Sequence, residues 1–385
     1  MDCSHLDWPF FDDDHRAMHE QAAAWAASNL GNDSEEGDVA SACRALVGRL
    51  AHGGWLRHTI PAAYGGVRRN VDVRSLCILR EILAFHSGLA DFAFAMQGLG
   101  AGPISLFGTD LQKRQWLPPV ADGRRIAAFA ISEAHAGSDI AAMRTTARPD
   151  GDGWILDGSK TWISNAGLAD HYVVFARLAG QEKAWGAFMV ETASPGLHIG
   201  EPIEVSAPHV LGSITLENCR VPANSRIGDA GAGLKVALAT LDVFRPTVGA
   251  AALGFARRAL DEATQWIRSR EVFGKPLAEH QMTLARLADM ALDIDASSLL
   301  VYRAAWLRDS SDTRSSSEAA MAKLYATEAA QRVADSAVQL LGGRGVVRGS
   351  ATERLYREVR ALRIYEGTSE IQRLVIASHV LRGSG

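Results

Sequence analysis

The sequence predicts an α+β protein in which a helical region, an antiparallel β region and a second helical region follow one another. Apolar residues recur at i, i+3, i+4 and i+7 near both ends, which is typical of amphipathic helices. The middle consists of short runs rich in β-branched and aromatic residues, separated by Gly, Asp, Asn and Pro. We place these regions at residues 1–118, 119–227 and 228–385. The order fits neither a doubly wound sheet nor a TIM barrel.

Each region contains segments with a clear period. AMHEQAAAWAAS, DVASACRALVGRLAHGG and VRSLCILREILAFHSG predict helices in the first region. WILDGSKTWISNA, HYVVFARL, WGAFMVE and SITLENCRVP predict strands in the second, and PDGDG at 149–153 predicts a turn between two of them. Long periodic segments return in the third region, where the polar run SSDTRSSS separates two helices and Gly342-Gly343 should end one.

Composition excludes several classes of protein. Hydrophobic residues make up 47% and charged residues 22% of the 385, which is ordinary for a globular chain and not for a disordered one. The formal net charge of -4 gives no basic field for nucleic acid or an anionic membrane surface. The four cysteines form no C-x-x-C pair, the N-terminus lacks the apolar core of a signal peptide, and no uncharged apolar stretch is of membrane-spanning length. We therefore expect a cytoplasmic protein with no membrane or nucleic-acid partner.

Generic motifs add little. The sequence has no G-x-x-x-x-G-K-[ST] and no G-x-S-x-G, and GGRGVVRG follows a helical segment, so it does not predict an NAD-binding loop. His15 and His19 stand four residues apart but lack the glutamate of H-E-x-x-H, so we expect no metal site.

Five segments in order carry a more specific signal. They are FAISEAHAGSDIAAMRTTA (129–147), GSKTWISNAG (158–167), REVFGKPLAEHQ (270–281), QLLGGRG (339–345) and RIYEGTSEIQR (363–373). Together they resemble the acyl-CoA dehydrogenase family, and the likeness runs from about residue 15 to 380. The resemblance implies a helical N-terminal domain, a β-barrel-like middle domain, a C-terminal four-helix bundle and a bound FAD.

The resemblance also assigns cofactor contacts. Aromatic and aliphatic walls suit a planar ring, and a few donors suit its polar edge. The implied contacts, some of them reaching the FAD of a neighbouring subunit, are Phe129, Ile131, Ser132, Ser138, Trp162, Ile163, Ser164, Arg270, Phe273, Gln281, Gln339, Gly342, Gly343 and Thr368. A cofactor site shared in this way implies a homo-oligomer, as a dimer of dimers (a homotetramer).

Glu366 in YEGT matches the family's catalytic base, which removes the α-proton of an acyl thioester while the β-hydrogen leaves as hydride to flavin N5. Some relatives carry the base on the long helix, where this chain has Phe244. The expected substrate contacts are Ser138, Asp242, Arg245, Tyr365, Gly367, Phe92 and Asp91. Phe92 and Phe94 are bulky and favour a short, branched or cyclic acyl group. Asp91 could instead be a capping or solvated carboxylate.

Departures from the family pattern leave alternatives for the substrate. Ser378 stands where several relatives that use CoA have an arginine, and 204–219 lacks the usual Gly-x-Arg-x-Ser. The thioester could therefore be acyl-CoA or an acyl group on a carrier protein. The electron acceptor is expected to be an electron-transfer flavoprotein, with oxygen as the alternative. A non-catalytic helical assembly or binding protein is the competing class, which the intact FAISE, TWIS and YEGT segments disfavour.

Overall fold

A computed structural model of the chain describes residues 3–31, 37–181, 183–311 and 315–383. The chain divides into two compact units, each assembled from segments that are distant in the sequence. One unit contains Met1–Glu35, Val73–Asp91 and Asp242–Gly385, and the other contains Glu36–Asp72 and Phe92–Leu241. Each is described by itself below.

The helices confirm the helical regions at both ends. Those of the described ranges are α1 (Asp13–Asn29), α2 (Val39–His52), α3 (Val73–His86), α4 (Gly88–Phe107), α5 (Asp110–Ala121), α6 (Gly233–Ser269), α7 (Gln281–Ser310), α8 (Ser316–Leu341), α9 (Ala351–Leu362) and α10 (Ser369–Arg382). The predicted glycine stop is confirmed, because α8 ends at Leu341 and Gly342 adopts φ +59°. The polar run between α7 and α8 includes residues 312–314, which lie outside the described residues.

The strands form one eight-stranded sheet and a small hairpin. They are β1 (Ala127–Ala130), β2 (Thr146–Asp150), β3 (Gly153–Ser164), β4 (His171–Leu178), β5 (Trp185–Glu191), β6 (Leu197–Pro202), β7 (Leu211–Pro222), β8 (Arg226–Ile227), β9 (Glu271–Val272) and β10 (Lys275–Pro276). The sheet order is β6-β7-β3-β2-β4-β5-β8, with β1 paired to β4. The predicted PDGDG turn is confirmed, since β2 and β3 are antiparallel partners on either side of it.

The prediction of a purely antiparallel sheet is wrong for two of the strand pairs. β4 runs parallel to both β1 and β2, while the other pairs are antiparallel. β3 follows β2 in the sequence and pairs with one edge of β2. β4 pairs with the opposite edge of β2 and runs in the same direction as β2. Alternating residues in a strand do not encode the direction of its neighbour, so the pattern could not reveal this.

The sheet unit is centred on a cluster of buried apolar residues. Trp116 and Leu117 on α5 pack with Val173 and Phe175 on β4, beside the first strand. Gly100 on α4 permits close approach to that strand, because a Cβ there would lie 2.6 Å from the Cβ of Ala127. β1, within which the first family-like segment (129–147) begins, thus packs against this buried cluster.

The other unit is helical, and within it α8 packs against α7, α9 and α10. By length and hydropathy α6 is the one helix of the described ranges that could span a membrane, but 89% of its most apolar window is buried within the protein. The predicted pair His15 and His19 lies on α1, where His15 belongs to a capping box with Asp12. No group of three potential metal ligands occurs among the described residues.

Candidate active site

Glu366 lies on a tight turn between α9 and α10. Its backbone has φ +54°, which is uncommon for a residue with a side chain, and Gly367 follows with φ +93°. Thr368 then caps the N-terminus of α10, with its hydroxyl accepting from the amide of Ile371 at 3.4 Å. Since such a conformation costs of order 1–3 kcal/mol, the surrounding structure must hold it.

Side chains from three helices hold the turn by its carbonyl groups. Arg245 Nε on α6 donates to the carbonyl of Glu366 at 3.3 Å. Gln372 Nε2 on α10 donates to the carbonyls of Glu366 and Gly367 at 3.3 and 2.8 Å. Lys323 Nζ on α8 donates to the carbonyl of Gly367 at 2.8 Å. These bonds fix the peptide planes that carry the glutamate.

The carboxyl group of Glu366 is left available for chemistry. Its Oε2 is buried and has no hydrogen-bond partner in the described part of the chain, although the residue as a whole is only half-buried. Burial raises the pKa of Glu366, and the nearby cations of Arg80, Lys323 and Arg245 offset this only in part. A carboxyl group with a raised pKa and a free oxygen is suited to act as a general base.

Three of the predicted substrate contacts in this unit, Asp91, Asp242 and Arg245, lie near the same turn in buried ion pairs. Asp242 Oδ1 lies 3.0 Å from Arg245 Nη1, and both side chains are buried. Asp91 receives two bonds of 2.7 Å from the Arg80 guanidinium. The capping and solvated alternatives for Asp91 are therefore wrong, because a buried arginine eleven residues earlier takes its charge. Nothing in the sequence spacing pairs these two residues.

The first two family-like segments meet in the sheet unit. The amide of Thr161 donates to the carbonyl of Ser132 at 3.0 Å, which places Ser132 beside Trp162. Trp162 adopts φ +59° and is 57% exposed, whereas Ile131 and Ile163 are buried. A flat aromatic side chain held outward in a strained conformation is suited to cover a ring.

A buried ion pair that the sequence motifs did not predict joins these two segments. Lys160 Nζ lies 2.8 Å from Glu133 Oε1 and 3.1 Å from the carbonyl of Ile131. Burial alone would raise the pKa of Glu133, but bonds from the Arg144 amide, Lys160 and Thr145 outweigh it and lower the pKa to about 2. The feature that could have revealed this pair is Lys160 itself, a lysine at a buried position of β3, since unpaired lysines are almost never fully buried.

The remaining predicted cofactor contacts lie at the surface of their units. Phe129 and Ser164 are half-buried beside the residues just described, and Ser138 is exposed after β1. Phe273 is 98% exposed with φ +50° on the turn between β9 and β10. The other exposed members are Arg270, Gln281, Gln339, Gly342 and Gly343.

Domain models of one protein family match all three regions of the chain. The acyl-CoA dehydrogenase N-terminal, middle and C-terminal domain models match residues 12–124, 128–219 and 231–381. The chain belongs to the acyl-CoA dehydrogenase family. It is thus an FAD-dependent oxidoreductase of that family and has its fold.

Three proteins similar to this chain are informative. The human mitochondrial short-chain specific acyl-CoA dehydrogenase is 42% identical over 347 residues, covering 88% of this chain and 82% of the relative. The butyryl-CoA dehydrogenase of Megasphaera elsdenii superposes with a TM-score of 0.91 at 32% identity, over 97% of this chain and 99% of the other. The prolyl acyl carrier protein oxidase AnaB superposes with a TM-score of 0.89 at 30% identity, over 96% and 99%.

The residues present fit an FAD. Other structural neighbours of this acyl-CoA dehydrogenase are complexes with FAD or FADH2. In this chain an outward-facing Trp162 supplies an apolar ring, and Ser132 supplies polar groups next to it. A Cβ added at Gly342 or Gly343 would meet no described atom within 4 Å, so the backbone there is open to a ligand. An exposed arginine such as Arg270 suits a pyrophosphate.

Proposed function

We propose that the enzyme dehydrogenates a short acyl thioester between its α and β carbons, with Glu366 as the base that removes the α-proton. The main observation is that Oε2 of Glu366 is buried and has no hydrogen-bond partner among the described residues. The turn that carries Glu366 is held by side chains from three helices. A bound FAD would supply the acceptor for the β-hydrogen as hydride, and the product would be a 2-enoyl thioester. Phe244, at the alternative position of the base, has no group that could take a proton.

The environment of Glu366 supports this role. Burial disfavours the carboxylate and strengthens its affinity for a proton, which raises the pKa of Glu366, while Arg80, Lys323 and Arg245 oppose that shift. The backbone bonds of the turn restrict where the carboxyl group can point. A base positioned in this way contributes typically ~10²–10⁴-fold to a proton transfer.

Two observations support a short acyl group. Two of the relatives are named for short-chain acyl-CoA and butyryl-CoA. Phe92 and Phe94 on α4 are both buried, and Phe92 packs against His209 with their ring centroids 4.6 Å apart. Phenyl groups in a packed region leave little volume for a long chain.

A carrier-protein thioester is the second candidate for the substrate. Ser378 is exposed on α10 and offers no positive charge to a CoA phosphate. The segment 204–219, which departs from the family pattern, contains the His209 that contacts Phe92. A neighbour of similar fold is named a prolyl acyl carrier protein oxidase. These points support a small or cyclic acyl group on the phosphopantetheine arm of a carrier protein as the second candidate. Acyl-CoA remains the first.

We also propose an electron-transfer flavoprotein as the acceptor, a homotetrameric assembly and a cytoplasmic location. A solved structure described as the electron transferring flavoprotein of Acidaminococcus fermentans contains a chain that superposes with a TM-score of 0.91 at 34% identity, over 97% of this chain and 99% of the other. Oxygen is the alternative acceptor, and the rate of reoxidation in air distinguishes the two.

The test of the base is Glu366→Gln, which keeps the shape of the side chain but cannot accept the proton. The variant should retain FAD and lose flavin reduction by at least ~10²-fold. Anaerobic bleaching of the flavin by short, branched, cyclic and carrier-bound acyl thioesters measures the rate and ranks the substrates. Near wild-type bleaching by Glu366→Gln would exclude this residue as the base.

A further inference from the structure

Lys323 is buried beside the catalytic turn and forms no ion pair with the described residues. Its side chain is fully buried on α8, and its Nζ bonds to the carbonyl of Gly367 at 2.8 Å. A carbonyl oxygen carries only a partial charge, so this bond leaves much of the cost of burying an ammonium group uncompensated. An anion close to Lys323 must therefore compensate the rest of the cost of burying its ammonium group.

The two buried arginines beside the turn are already paired with carboxylates. Arg80 pairs with Asp91 through two bonds, and Arg245 pairs with Asp242. Lys323 has no carboxylate within 4.0 Å in the described part of the chain, and Oε2 of Glu366 has no hydrogen bond there. Glu366 and Lys323 are therefore an anion and a cation beside one turn that form no direct ion pair with the described residues.

Other titratable groups act on this cluster from the surrounding helices. Lys323 and Glu366 each act electrostatically on the other, and burial lowers the pKa of Lys323 to about 8 while Glu366 opposes that shift. The groups on the surrounding elements are Arg80 (α3), Asp91 (α4), Asp242 and Arg245 (α6), Glu328 (α8), Glu358 (α9), Tyr365 (the turn) and Glu370 (α10).

We propose that Lys323 is a positioning residue for the base: its ammonium holds the Gly367 carbonyl, which orients Glu366, and supplies the buried positive charge that balances the Glu366 carboxylate. The two effects are separable. Holding the carbonyl needs only a donor, whereas balancing the carboxylate needs a full charge. The inference rests on the proposed function of Glu366, but the electrostatic link between the two residues can be measured without any substrate.

Two substitutions separate the effects. Lys323→Gln removes the charge and keeps a donor for the Gly367 carbonyl, and Lys323→Met removes both. In each, the carboxyl group of Glu366 should titrate at a pH higher by at least about 1 unit, because a stabilising cation is lost. Only Lys323→Met should also lower the maximal rate of flavin reduction, by about tenfold or more, since misplacing a reacting group has effects of that size.

The titration is measured on substrate-free holoenzyme by the infrared band of the carboxyl group, assigned by its loss in Glu366→Gln. Arg332→Gln is the matched control, because it removes an exposed cation from the same helix, where Arg332 pairs with Asp293; its titration should equal that of the wild type. An unchanged titration in both Lys323 variants would overturn the proposal, even if they were less stable or slower.

A reciprocal measurement does not depend on whether the Lys323 variants fold. Glu366→Gln should lower the pKa of Lys323, measured by NMR of its Nζ, because the carboxylate that favours the ammonium is gone. An unchanged pKa of Lys323 would overturn the link. If Glu366→Gln still reduced the flavin, the proposed function would fail, while both titrations would still decide the role of Lys323.

Discussion

Glu366 is surrounded by charges of both signs. Burial raises its pKa, the cations Arg80, Lys323 and Arg245 lower it, and Asp91 raises it further. The net direction is upward because desolvation is the largest of these effects. The same residue occupies a left-handed backbone conformation. Strain of this kind is often stored at functional sites.

The raised pKa predicts the pH dependence of the chemical step. A base acts only when it is ionised, so flavin reduction should slow as the pH falls through the raised pKa. We expect this acid limb above the ordinary glutamate value of 4.5. Anaerobic single-turnover reduction by the best acyl thioester measures it, and reduction of the same holoenzyme by dithionite serves as the control. A limb at or below the ordinary value would contradict the assignment.

The bulk of Phe92 and Phe94 predicts the acyl length. The wild-type enzyme should prefer acyl groups of about six carbons or fewer, or a compact ring, since one methylene group too many costs ~1–3 kcal/mol. The two residues lie two apart on α4 and point in different directions. Alanine at the one that lines the pocket should extend the range, while alanine at the other should mainly lower stability.

The deciding measurement for acyl length is kcat/KM across a chain-length series for the wild type and both single variants. Highest activity of the wild type on palmitoyl thioesters would show that neither phenyl group limits the pocket.

Three helices of the helical unit are joined by one buried carboxylate. Glu81 on α3 lies 2.7 Å from Arg257 Nε on α6 and also accepts from the hydroxyl of Tyr302 on α7. Further along α6 from the catalytic region, Gly254 permits α3 to approach, because a Cβ there would overlap the carbonyl oxygen of Glu81. The contact of α3 with α6 thus depends on the absence of a side chain.

Gly254→Ala should therefore destabilise the holoenzyme. A backbone carbonyl within α3 cannot move aside, and overpacking of this kind costs ~1–3 kcal/mol. Gly48→Ala is the matched control, since Gly48 lies inside α2 with no described atom within 4 Å of the added Cβ. That variant should be neutral or more stable by ~0.5–1 kcal/mol. Thermal unfolding of both holoenzymes tests the pair, and equal melting temperatures would contradict the prediction.

Three large apolar side chains of the helical unit are highly exposed. Phe273 is 98% exposed, Met282 85% and Leu381 86%. The family resemblance assigns Arg270 and Phe273 to the FAD of a neighbouring subunit, which makes a second copy of the chain the expected partner.

We expect a homotetramer by sedimentation, and weaker FAD retention in Arg270→Ala. Loss of bound cofactor should also lower the melting temperature, because a ligand that binds only the folded assembly stabilises it. Arg268→Ala, which removes another exposed arginine two residues earlier, is the control and should retain FAD. A stable monomer with full FAD occupancy would refute the shared site.

The sequence by itself determined the succession of helices, strands and helices, the glycine stop after α8, the family and its cofactor. Periodicity and short motifs are local properties of a sequence, so they can be recognised without knowing which segments are in contact. The prediction that Glu366 is the base also needed only the sequence, because RIYEGTSEIQR is contiguous.

Only the tertiary structure decided which partners surround those residues. The pairs Arg80–Asp91, Lys160–Glu133 and Lys323–Gly367 join residues 11, 27 and 44 positions apart, on different elements. The parallel pairing of β4 and the left-handed conformation of Glu366 likewise follow from contacts with distant segments. Burial and electrostatic compensation depend on distance in space, and a linear pattern records distance only along the chain.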